Sequence, residues 1–138
     1  MKTSLIAVAC LVGALAQAHH SPAATYFLDQ QAVIHGTVEE FLLRNPHSYL
    51  LVEAPDETGT MQRWAIEWGG GGQLSSRGVT RDTLRAGDEV WITIMPGKMP
   101  ESHRGLVKIL RRPSDGFEWG TRPGEDLTHW PLGGKDAR

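Results

Sequence analysis

Between Gln31 and Leu110 the apolar residues fall at alternate positions, in short runs that end in glycine, proline, asparagine or aspartate. Alternation of this kind indicates strands more than helices. The runs predict strands over 32–44 (AVIHGTVEEFLLR), 48–54 (SYLLVEA), 61–68 (MQRWAIEW), 88–95 (DEVWITIM) and 105–111 (GLVKILR). Gly36 interrupts the first and longest run, where a bulge or sharp coil lets one strand serve two edges of a barrel. Asn45-Pro46-His47 and the PDETG stretch at 55–59 are turn sequences, so the first three strands are expected to form a meander. Gln73 to Arg77 has room for one or two helical turns stopped by Gly78. Five strands with a short helix between the third and fourth is the arrangement of the OB-fold, so the expected fold is all-β, a small five-stranded OB-like barrel.

The segment ahead of the barrel has a different composition. Lys2 precedes an apolar run from Leu5 to Leu15 and then Ala16-Gln17-Ala18, a small-x-small pattern accepted by signal peptidase. The run is too short for a permanent membrane anchor and has no basic flank to stop transfer. Residues 1–18 are therefore read as a cleaved signal peptide, with the product periplasmic or secreted and without stable membrane insertion. Cys10, the single cysteine, lies inside that segment. Lipoprotein attachment at Cys10 is the rival reading, but Ala7-Val8-Ala9 fits it poorly and the apolar run continues past it.

With residues 1–18 removed, 120 of the 138 residues remain, enough for one small core. That chain has no cysteine for a disulfide or a thiolate metal site. Without Lys2, the 14 basic residues become 13 against 16 acidic ones, and no basic cluster appears. This speaks against a nucleic-acid partner or an anionic membrane surface. The expected organisation is an N-terminal segment at 19–30, the barrel at 31–112 and an irregular Gly/Pro-rich tail at 113–138. Trp119 and Trp130 are candidates for pinning parts of that tail to the barrel.

Cleavage after Ala18 would make His19 the terminal residue, with a free α-amine beside its imidazole. Amine and ring together chelate a divalent ion, and a third nitrogen from another histidine completes the T-shaped set called a histidine brace. All-nitrogen tetragonal sites suit Cu(II). The free amine has a pKa of about 7.7 to 8.0, so displacing its proton at neutral pH costs only about 1 kcal/mol. His47 is the expected third donor, because Pro46 stiffens the turn that carries it. His20 competes as an alternative ligand or stands beside the site. Glu67, at the end of the third strand, is a candidate axial or supporting carboxylate. The plainer readings are a solvated turn histidine for His47, and a partner for Arg63 or Arg81 in the case of Glu67.

Other features carry less. The glycine run at 69–72 lacks the Lys-Ser/Thr of a phosphate loop and more simply permits close backbone packing. Met95, Met99 and His103 offer soft or nitrogen donors but read as a strand end and loop. Nothing in the sequence converges on His35 or His129. There is no Gly-x-Ser-x-Gly elbow, no His-Glu-x-x-His helix and no cysteine nucleophile in the mature chain, so side-chain catalysis finds no support.

The stretches HHSPAATYF (19–27), HGTVEEFLLRNPHSYLLVEA (35–54), WAIEW (64–68) and LSSRGVTRDTLRAGDEV (74–90) occur in that order. Their combination resembles a family of small exported bacterial proteins of unknown function, whose mature chains begin His-His-Ser. The resemblance covers most of residues 19–111. It implies a periplasmic OB-like domain with His19, His20, His47 and Glu67 at the family's motif positions. The glycine run at 69–72 and the extension after Arg112 depart from that pattern. The expected function is copper(II) binding for storage, delivery or sensing, in exchange with a metal donor or acceptor protein. A metal-free module that holds a peptide, glycan or protein partner through Tyr49, Trp64 and Trp91 is the alternative. Copper-dependent oxidation is a lesser possibility.

Overall fold

A computed structural model describes residues 21–120. The predicted signal peptide, His19, His20 and the end of the tail lie outside the described residues. The elements are α1 (Pro22–Thr25), β1 (Ala32–Leu42), β2 (Ser48–Pro55), β3 (Met61–Trp68), α2 (Gly71–Ser75), β4 (Glu89–Pro96), a 3-10 turn (Pro100–Ser102), β5 (Arg104–Arg112) and β6 (Phe117–Trp119). The strand order is β3-β2-β1-β4-β5-β6, and a parallel pairing of Ala65–Glu67 with Arg104–Leu106 joins β3 to β5. That pairing closes the first five strands into a barrel, with α2 between β3 and β4. The expected OB-like barrel is the observed fold.

The long first strand serves two edges. Ala32–Thr37 pairs with β4, and Thr37–Leu42 pairs with β2. The register shift falls between Val38 and Glu40, two residues beyond Gly36. Gly36 has another role: a side chain there would collide with the Glu53 carbonyl and the Ala54 methyl of β2, so its absence lets β1 coil closely over its neighbour.

Alternation places Val90, Ile92 and Ile94 of β4 fully inside, with Leu50 and Val52 of β2 and Ile66 and Trp68 of β3. Leu74 of α2 joins this cluster with no exposed surface, so the helix covers one end of the barrel. The helix begins two residues earlier than expected, at Gly71. It ends at Ser75, two residues before the expected Arg77, and the stop at Gly78 is the expected one: Gly78 adopts φ 85°, Gly78 N donates to Ser75 O, and Val79 N donates to Leu74 O. These two bonds form a Schellman motif, which satisfies carbonyls left open at the helix terminus.

β2, β4 and β5 differ from the expected bounds by one residue at one or both ends, and two differences go further. β1 ends at Leu42, short of Arg44, because the Arg44 backbone bonds to Ser48 and Gly71 instead of extending the ladder. The region from Pro113 is not wholly irregular: Phe117–Trp119 forms β6 against β5. A three-residue strand is too short to leave a periodic signal. Trp119 meets Trp68 edge-on, with ring centroids 5.1 Å apart, so it does pin this stretch to the core.

Candidate functional site

The turn that carries His47 is built on the glycine run. Gly71 N donates to Arg44 O at 2.8 Å, Gly72 N donates to Asn45 Oδ1 at 3.2 Å, and Ser48 N donates to Gly69 O at 3.1 Å. The buried Ser48 hydroxyl accepts from Arg44 N and donates to Arg44 O, both at 3.2 Å. A Cβ on Gly70 would stand 2.7 Å from Pro46 O, and one on Gly71 would stand 3.2 Å from the Arg44 carbonyl carbon. The Asn45–Pro46 peptide bond is cis. Gly70 and Gly71 therefore let a polar turn sit directly on backbone, and that seating sets where His47 begins.

His47 meets Glu67, and Glu67 meets Tyr26. The His47 Nδ1 is 2.9 Å from Glu67 Oε1, and the Tyr26 hydroxyl donates to Glu67 Oε2 at 2.5 Å. Both carboxylate oxygens are thereby engaged. A carboxylate can only accept, so the proton in this ion-pair contact sits on His47 Nδ1. The Nε2 atom has no partner among the described residues, and half of the His47 side chain is exposed, against 14% for Glu67. Donation of one ring N–H to a carboxylate, with the other nitrogen open, is how metal-binding histidines are held in orientation and tautomer.

Tyr26 is 2% exposed. Its burial, followed by the hydrogen bond and charge of Glu67, pushes its phenol well above the ordinary range. It stays a neutral donor through physiological pH. The segment around it is strapped to the connection between β4 and β5: Phe27 N donates to Pro96 O at 2.9 Å, Lys98 N donates to Thr25 O at 2.9 Å, and Tyr26 bridges Gly97. One carboxylate on β3 thus ties the N-terminal segment to the β1–β2 turn. Glu67 pairs with Tyr49 on β2 and Leu106 on β5, on the outside of the barrel. That is the β2–β3 face, between the β1–β2 and β4–β5 connections, with which OB-folds hold ligands.

The plainer reading of Glu67 does not match its partners, since Arg63 pairs with Glu39 instead. Among the described residues no group of three or more His, Cys, Asp or Glu gathers, so His47 and Glu67 stand as a pair. His103 lies edge-on to Trp64 with centroids 5.2 Å apart, and Met99 is 61% exposed. His35 stacks on Trp91 at 3.9 Å and meets Glu89 at 2.6 Å. Trp64 is partly buried and donates to Ala54 O, while Trp91 lies across the barrel on β4. Tyr49, Trp64 and Trp91 therefore do not make one aromatic face.

Sequence reasoning assigns no role to Tyr26. The signal was present, as one tyrosine in an otherwise small-residue segment, but a partner 41 positions away is invisible to any local pattern.

No curated protein and no solved structure matches this chain significantly. The model of a family of unknown function, DUF6152, matches residues 7–106 of the 138, and the chain belongs to that family.

Proposed function

We propose that this is an exported copper(II)-binding protein in which His19, through its α-amine and ring, and His47, through Nε2, hold the metal for storage, delivery or sensing. The observation that supports the reading is the double use of Glu67. Its Oε1 orients His47 with Nε2 open, and its Oε2 holds Tyr26, seven residues after His19. Seven residues span at most about 25 Å, so His19 is within reach of the His47 turn. The donor set is nitrogen-rich and suits Cu(II). Glu67 acts in this scheme by orienting a ligand, and His20 is a spare or alternative donor.

The test is intact mass of the protein recovered from a bacterial periplasm, under native conditions with and without added Cu(II). A mass beginning at His19 with one copper retained supports the reading. Equal copper affinity in a variant with one additional alanine ahead of His19 removes the brace, because the amine then leaves the chelate ring.

A further inference from the structure

The surface beside His47 carries polar groups that the copper reading does not use. A depression of about 350 Å³ is lined by Arg44, Asn45, Pro46, His47 and Tyr49, with no acidic side chain among them. The Arg44 guanidinium lies over the Tyr49 ring, 5.1 Å from its centroid. Among the described residues no carboxylate stands within ion-pair distance of it. The acid nearest in register is Glu67, directly across the ladder from Tyr49, and both of its oxygens are taken by Tyr26 and His47. Arg44 is therefore an uncompensated cation in a chain with more acidic than basic residues.

Its position is also prepared. Three hydrogen bonds clamp the Arg44 backbone to Ser48 and Gly71, and the guanidinium rests over the Tyr49 ring in a cation–π contact. Among the described residues Arg44 hydrogen-bonds only through its backbone, and the planar fork of its guanidinium matches the two oxygens of a carboxylate. Asn45 Oδ1 is occupied by Gly72 N, which leaves the amide N–H donors of Asn45 without a partner among the described residues.

We propose that this depression is a binding subsite for a small carboxylate, with Arg44 as the fork that takes its oxygens and Tyr49 as the platform that holds the fork. What the carboxylate does there rests on the copper reading. A copper held by three nitrogens would still be able to take a donor from a small acid. An α-amino or α-hydroxy acid presents a carboxylate to Arg44 and a further donor to the metal, so the class of ligand is a small chelating acid.

The experiment is a titration of the processed, metal-free protein with malonate, followed by NMR at the Arg44 Nε–H and the His47 ring, with sulfate as a tetrahedral comparison. Malonate should produce saturable shifts at both residues. R44Q should weaken binding at least tenfold, R44K should recover only part of it, and sulfate should bind more weakly than malonate. The absence of saturable shifts, their survival in R44Q, or equal binding of sulfate overturns the proposal. No metal is present, so the two readings separate. Malonate binding by a protein that rejects copper overturns the copper reading alone, and copper binding by a protein that ignores malonate overturns the subsite alone.

Discussion

At the scale of single residues, Glu67 occupies the Nδ1 side of His47, and Nε2 is the nitrogen with no partner among the described residues. Replacement by glutamine keeps the shape and changes the chemistry, because an amide N–H can donate to Nδ1 and drive the proton onto Nε2. Glu67→Gln is therefore expected to reverse the His47 tautomer, seen in long-range 15N–1H spectra, and, under the proposed copper function, to weaken Cu(II) binding by about 10- to 100-fold, the usual range for a lost orienting partner. Tyr26→Phe leaves Glu67 Oε2 without its donor in a largely buried place, and loss of a hydrogen bond to a charged group costs about 1.5 to 3 kcal/mol. Chemical denaturation should record that loss. The alkaline behaviour follows from the same contact: burial raises the folded phenol above its unfolded value, so its contribution is full below about pH 10 and fades as pH climbs further. Tyr26→Phe should flatten that alkaline decline.

At the scale of elements, two connections carry testable strain and charge. The α2 glycine turn and the 43–47 turn are in backbone contact, and Gly70→Ala puts a methyl 2.7 Å from Pro46 O. Overpacking of that kind costs about 1 to 3 kcal/mol. Thermal unfolding should show the cost, and displaced His47 ring resonances should show that the turn has moved. In the β2–β3 hairpin, Asp56 accepts from the Thr58 hydroxyl and backbone, the Thr60 backbone and the Gln62 amide. The Thr58 hydroxyl, followed by the Gln62 amide, draws its carboxyl down to about 2. The folded value is the depressed one, so the hairpin's share of stability is present above about pH 4 and is lost as pH falls toward 2. Thr58→Ala should return the Asp56 titration toward 3.8 in carboxyl 13C spectra.

At the scale of the whole molecule, the barrel keeps its site outside the core. Inward residues of β2 and β3 such as Leu50, Ile66 and Trp68 are sealed, while Tyr49 and Glu67 on the same strands face the strap and the turn. The site can therefore be altered without emptying the interior. Trp119 belongs to the opposite category, since its ring rests edge-on against Trp68. Trp119→Ala should lower stability by about 2 kcal/mol through lost apolar contact, with the His47 ring resonances unchanged. A shift of those resonances would show that β6 and the site are coupled.

The sequence by itself determined the five barrel strands, because alternation of apolar residues is local and each of those runs carries its own period. It determined the short helix and its stop at Gly78, since a left-handed residue after a helical turn leaves a compositional mark. It also singled out His47 and Glu67 as residue types in suggestive places. Only the tertiary structure decided that these two meet, that Tyr26 is the third member, and that the glycine run seats the turn beneath them. Those contacts join the N-terminal segment, the β1–β2 turn and β3, segments separated by up to 41 positions. Barrel closure, through the parallel β3–β5 pairing and the strap over it, is what brings them together, and no periodicity within one segment encodes a contact with another.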